Sequence, residues 1–384
     1  MDPAPPPVIH EVLPSEILVM VFEDHAKLEW RAPAIDGRVC RLWRQIILNA
    51  PRAWAYLEIC YDQRPTMSNL LLWLGRSRKA PLHIRVDENF IVCGPTNGRA
   101  LYDLLYDYHT RIASLRTGLI DLAFFEGRDF PSMRVLDIRC WYQRDSSLHP
   151  VRWGRMPELR SLHLCPTNVD SVPLDRFPPL KTLVLQIIKC TSLLRHSPSL
   201  VTLMLHTVHF KDAISGPMDF SSLTHLALFR VRGFKPYINA PYLVTYYESG
   251  ITREESFSAP IPSLVEYGLC GIYNSLDSAP TEWHRSSPNI QKLFVRANPS
   301  VLISLLHSLA THPHSLPALQ MISASPLWTP SWTWGEEVTK EDQETMESLI
   351  QAQSEVCLRD TALCFEQPLY IVPSYLFVSH CLIG

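Results

Sequence analysis

Histidine and cysteine can ligate metals or serve a reaction centre, so their spacing is weighed first. His206 and His209 would share a face only on a helix; the residues around them read as a strand end, which sends them to opposite sides. His312 and His314 flank Pro313 in a loop without a neighbouring cysteine, and Cys357 and Cys364 stand too far apart for a finger knuckle. No metal site and no cofactor are expected. No phosphate-cradling glycine loop, serine elbow or His-Glu-x-x-His motif is present, so catalysis has no anchor and a non-enzymatic role is expected.

The 10 cysteines are scattered rather than closely paired, which suits small buried thiols in a reducing compartment. The stretch up to His10 is proline-rich and has neither the basic start nor the apolar core of a secretory signal, pointing to the cytoplasm or nucleus. Lys plus Arg number 35 and Asp plus Glu 38, a net charge of -3 that supplies no field for nucleic acid. A 46% hydrophobic content with 19% charged residues is that of a folded chain. Leu369 to Gly384 are uncharged but fall short of the ~20 apolar residues that span a bilayer, and Pro373 interrupts them. Membrane insertion is not expected.

Binding residues need a scaffold, and here the scaffold is written as a repeat. MRVLDI at 133–138, LRSLHL, LKTLVL, LVTLML, LTHLAL, LVTYYE, LVEYGL, IQKLFV and LQMISA at 319–324 align as apolar-x-x-apolar-x-apolar, the sixth and ninth copies failing at the last position. Their first residues, Met133, Leu159, Leu180, Leu200, Leu223, Leu243, Leu264, Ile290 and Leu319, are 20 to 29 residues apart, in the range of leucine-rich repeats. A proline stands two residues before all of these except Leu223, which suits a strand start because proline has no amide to donate. The pattern predicts an α/β chain: short parallel strands alternating with helices or loops in an irregular solenoid.

Tyr56 to Ile59 and Leu82 to Val86 predict two earlier strands, with helices over Met67 to Leu74 and Ala100 to Leu115. Beyond Ser325 a loop carrying Trp328, Trp332 and Trp334 leads to a predicted capping helix, Thr339 to Leu358, whose acids from Glu336 to Glu347 suit a solvated face. On the side of the repeats away from the leucines, a partner protein would meet Asp137, Arg139, His163, Met204 and His206, and further on Phe229, Tyr247, Lys292, Phe294 and Arg296.

The N-terminal part is different. Ile17, Leu18, Val21 and Phe22 fall on one helical face, and Val39, Leu42, Trp43, Ile46 and Ile47 on another. Pro14, Ser15 and Glu16 suit a helix start. The run Leu-Pro, Glu-Ile-Leu, Val-Cys-Arg-x-Trp-Arg and Pro-x-x-Trp resembles an F-box, on Leu13, Pro14, Glu16, Ile17, Leu18, Phe22, Val39, Cys40, Arg41, Trp43, Arg44, Pro51 and Trp54. The repeats C-terminal to it are similar to those of fungal F-box proteins with leucine-rich repeats.

The resemblance implies a division into a tail at 1–10, a helical F-box at 11–60, a solenoid at 61–325, and a loop, cap and apolar tail at 326–384. It also implies a role. The F-box would dock a Skp-type adaptor held on a cullin scaffold, through Leu13, Pro14, Ile17, Leu18, Phe22, Val39, Cys40, Trp43, Arg44, Pro51 and Trp54, while the repeats hold a protein substrate for ubiquitylation. A single copy would serve in such a complex, and the reaction belongs to other subunits. One departure is expected to weaken the adaptor contact: Pro33 and Gly37 stand where family members continue a helix, and both disfavour a helix interior.

Overall fold

The structure is a computed structural model describing residues 13–60, 66–87, 95–117, 122–125, 127–139, 154–165, 178–186, 199–208, 218–229, 231, 238–249, 261–272, 287–297, 305, 307, 309, 316–326 and 362–363. The chain divides into two compact units, Met1–Ser197 and Pro198–Gly384.

The first unit opens with helices. Helix α1 (Ser15–Leu28) comes directly after Pro14 and buries Leu18, Phe22 and Ala26, a stripe at four-residue spacing. A short α2 (Ala32–Asp36) precedes α3 (Arg41–Leu48), where the Cys40 sulfur accepts the Trp43 amide at 3.4 Å and so caps the helix. Phe22 meets Trp43 edge-on at 5.0 Å, fixing α1 against α3. A 3-10 turn at Pro51–Trp54 then carries Trp54 inside, where its Nε1 donates to the Ile47 carbonyl at 2.9 Å. Trp54 packs edge-on against Trp73 (4.9 Å), which also meets Trp30 (5.6 Å), so one aromatic cluster joins the helices to the first repeats.

The rest of this unit is a run of parallel strands: β1 (Tyr56–Ile59), β2 (Leu82–Val86), β3 (Ile112–Thr117), β4 (Val135–Arg139), β5 (Ser161–Cys165) and β6 (Thr182–Gln186). Helix α4 (Met67–Arg76) lies between β1 and β2, and α5 (Pro95–Tyr106) between β2 and β3. Alternation along each strand turns Leu57 and Ile59, Leu82 and Ile84, Leu136 and Ile138, Leu162 and Leu164 into the core. The second unit repeats the device with β7 (Thr202–His206), β9 (His225–Phe229), β11 (Thr245–Ser249), β12 (Glu266–Ile272), β13 (Lys292–Ala297), β14 (Met321–Pro326) and β15 (Ala362–Leu363). Two short strands, β8 (Met218–Asp219) and β10 (Ile238–Asn239), pair with each other. Each unit is thus a parallel-strand solenoid with few helices.

All nine first-position residues, from Met133 to Leu319, are buried. The prolines sit in the turn before the strand rather than at the strand's start. In MPEL the Leu159 amide donates to the Met156 carbonyl (3.1 Å), and the same closure joins Leu243 to Ala240, Leu264 to Ile261 and Leu319 to Leu316. Proline therefore occupies the second place of a β-turn, where its fixed φ is preset and its missing amide is not needed. One carbonyl then accepts two amides of the next copy: Arg134 O takes those of Arg160 (2.9 Å) and Ser161 (3.0 Å), and Thr224 O those of Val244 (2.8 Å) and Thr245 (3.0 Å).

Two expectations are corrected. The helix expected to run to Leu115 stops at Tyr106, because Ile112 and Leu115 are committed to β3, paired with β2. The face expected to join Ile17, Leu18, Val21 and Phe22 is divided: Leu18 and Phe22 turn inward, Ile17 and Val21 outward. Pro33 and Gly37 lie at the two ends of the short α2. Pro33 lies in the first turn of α2, where no amide is required, and Gly37 ends it. A side chain at Gly37 would meet the Pro33 carbonyl at 3.0 Å, while the Gly37 carbonyl accepts from Arg44 Nε at 2.9 Å.

The tryptophan loop, the helix at 339–358 and the apolar tail lie outside the described residues, as do His209, His312, His314, Cys357 and Cys364. Among the described residues no helix is long and apolar enough to cross a membrane, and no three His, Cys, Asp or Glu side chains stand ready for a metal.

Candidate functional site

Two surfaces of the first unit collect the residues singled out by sequence. On the helices, packing of the inward stripe leaves an outward apolar one. Ile17, Met20, Val21 and Leu28 are exposed on α1, at 60% for Met20 and 87% for Leu28. Ile35, Val39 (62%) and Leu42 are exposed on α2, at the bend and on α3. Three- and four-residue spacing puts Ile17, Met20 and Val21 on one side of α1 as an apolar patch, and Leu28 follows on the same side beyond the exposed Asp24, which pairs with Lys27 at 2.6 Å.

The motif residues therefore separate by role. Pro14, Ile17 and Val39 are exposed and can touch a partner, and Leu13 is half-buried beside them in sequence. Leu18, Phe22 and Trp54 are sealed in the core and support the surface from beneath. Cys40 caps α3, Arg44 ties α3 to the bend, and Pro51 starts the turn that delivers Trp54. Trp43 packs on Phe22, and its buried Nε1 has no hydrogen-bond partner among the described residues. His25 Nδ1 stands 3.0 Å from Asp36 Oδ2, bridging α1 to α2.

The second surface is the side of the strands away from the leucines. Register places Glu58, Arg85, Arg116, Asp137 and His163 in one row, a strand apart, with Val184 next in line. Arg85 reaches Glu58 at 3.4 Å, and His163 Nδ1 stands 3.0 Å from Asp137 Oδ1, with His163 Nε2 buried and without a hydrogen-bond partner among the described residues. Asp137 is only 5% exposed, so it is one half of a buried pair and not a free surface charge. Beside this row Tyr56 stacks on His83 at 4.8 Å. Burial holds the His83 imidazole below its ordinary pKa, helped by the fields of Arg134 and Lys27. Glu58, Arg85 and Arg116 were absent from the sequence-based set because counting began at the first clear repeat, one copy past β3.

On the same side of the second unit the middle row is Met204, Ala227, Tyr247, Gly268 and Phe294. Met204 and Tyr247 are buried, His206, Phe229 and Phe294 half-buried and Lys292 exposed; the side chains of Arg139 and Arg296 lie outside the described set. Tyr247 lies over Gly268, where an added Cβ would be 2.0 Å from the ring, and donates to Glu266, itself 3.9 Å from Lys292. On the leucine side, Glu248 occupies the position where the sixth repeat departs from the pattern. It accepts from Tyr246 at 2.7 Å and from Tyr267. Burial raises the Glu248 pKa against the opposing effect of those two hydroxyls, and raises both tyrosines well above their ordinary value.

No family model and no curated protein matches the chain. A crystal structure of a protein from Bacteroides fragilis is similar to it at 12% identity, covering 69% of each chain with a TM-score of 0.31, a likeness too distant to carry fold or function across.

Proposed function

We propose that this protein is the substrate-recognition adaptor of an SCF-type ubiquitin ligase, its N-terminal helices forming an F-box that docks a Skp-type adaptor and, through it, a cullin scaffold. Its leucine-rich repeats hold the protein to be modified. The observation that carries the reading is the outward apolar patch of Ile17, Met20 and Val21, left open on α1 while Leu18, Phe22 and Ala26 on its other face are buried. A hairpin serving only as filler for the chain's own interior would have no use for it. Pro33 lies in the first turn of α2 and Gly37 at its end, so neither stands in a helix interior.

The test is co-purification. Ile17→Glu with Val39→Glu places charges on exposed positions, so folding is retained while recovery of the Skp-type adaptor falls more than tenfold, as expected when buried interface positions acquire unpaired charge. Undiminished recovery of the adaptor by this variant, or none by the wild type, would leave a repeat scaffold without a ubiquitin connection.

A further inference from the structure

The bend between α2 and α3 and the start of α3 carry charge that the fold does not answer. From Gly37 to Ala50 the chain has three arginines, Arg38, Arg41 and Arg44, and no acid. All three are exposed, and among the described residues none of them makes an ion pair. Arg44 donates to the Gly37 carbonyl. The carboxylates of the neighbouring helices are engaged elsewhere: Asp24 with Lys27 at 2.6 Å, Glu29 with Arg31 at 3.0 Å, and the buried Asp36 with His25. On α1, Glu16 accepts from Ser15, and Glu23 is half-buried.

The arginines also stand where the helix itself has no use for them. Arg41 is the first residue of α3, Arg38 precedes it, and the first turn has no acid, so these cations meet the positive end of the helix dipole. Helix stability therefore does not account for them. Among them stand the exposed Val39 and Leu42, with Ile35 before the bend. Apolar area with arginines set into it is the composition of a protein interface, whereas a phosphate backbone would use the charges and not the apolar side chains.

We propose that the partner docking on these helices presents carboxylates to Arg38 and Arg41, an acidic margin beside the apolar contact at Val39 and Leu42. The inference rests on the helices being the adaptor-docking part and names the chemistry of the adaptor's surface. Exposed charges at the edge of an interface act mainly on how fast the partners meet, and salt screens them.

The probe is a purified Skp-type adaptor, its association with the full chain followed by biolayer interferometry from low to physiological ionic strength. The double variant Arg38→Gln, Arg41→Gln should associate about tenfold more slowly at low ionic strength, with dissociation little changed, and the difference should shrink as salt rises. Without the adaptor it should melt no lower than the wild type, because two cations leave the positive end of α3. Arg38→Lys with Arg41→Lys should restore the rate and give a zero-length carbodiimide cross-link from a substituted position to an adaptor carboxylate. Association of the glutamine variant at the wild-type rate overturns the proposal. So does a lowered melting temperature accompanying its loss of binding, which would make the arginines part of the fold. A wild type that binds the adaptor at a rate indifferent to these arginines sinks this inference alone; a wild type that binds none removes the proposed function and this inference with it.

Discussion

Glu248 shows how one residue can be set against its surroundings. It stands where neighbouring strands carry Leu228 and Leu269, and two tyrosine hydroxyls supply what the core cannot. Because burial raises its native pKa, the folded state holds more protons than the unfolded one over the interval between the two values. Stability is thus highest below the ordinary carboxylate value of 4.5, falls as pH rises toward the raised native value, and is flat beyond it. Glu248→Gln, which loses the charge, keeps one accepted hydrogen bond and turns the other round so that its amide nitrogen donates to a tyrosine oxygen, should melt above the wild type at pH 7 and match it at pH 4. A melting difference that does not change between those two pH values would refute the assignment. Sequence marked this position only as a defect in the sixth repeat; one hydroxyl that answers it comes from its own strand and the other, Tyr267, from β12.

At the scale of the strand, Gly268 is a constraint imposed by a neighbour. Nothing in its own segment demands glycine, but Tyr247 crosses above it from β11. Gly268→Ala should destabilise by about 1–3 kcal/mol through overpacking, and far less in a Tyr247→Ala background. Equal costs in both backgrounds, read by urea denaturation, would show that the ring is not the cause. The strands and their inward leucines were legible because a two-residue alternation recurs at a near-constant interval. The helix end at Tyr106 and the division of the α1 stripe were not. Both depend on what a segment packs against: β2 draws Ile112 to Leu115 into a ladder, and Phe22 turns to Trp43.

At the scale of the molecule, the proposed function needs a surface that is apolar and still open. If a Skp-type adaptor binds the folded chain only, adding it at ~100 times its Kd should stabilise the protein by about 2.7 kcal/mol, visible as a concentration-dependent rise in Tm. An unmoved Tm would speak against docking independently of co-purification. The sequence by itself determined that this chain is a parallel-strand repeat with a helical start, because periodic apolar residues have few ways to be buried together. Which apolar residues remain outside, which charges find partners and which are left over are decided only by tertiary structure. Exposure and pairing belong to neighbours brought together in space: Ile17 and Leu18 are adjacent in the chain, yet one faces solvent and the other the core, and Asp137 finds His163 on the next strand.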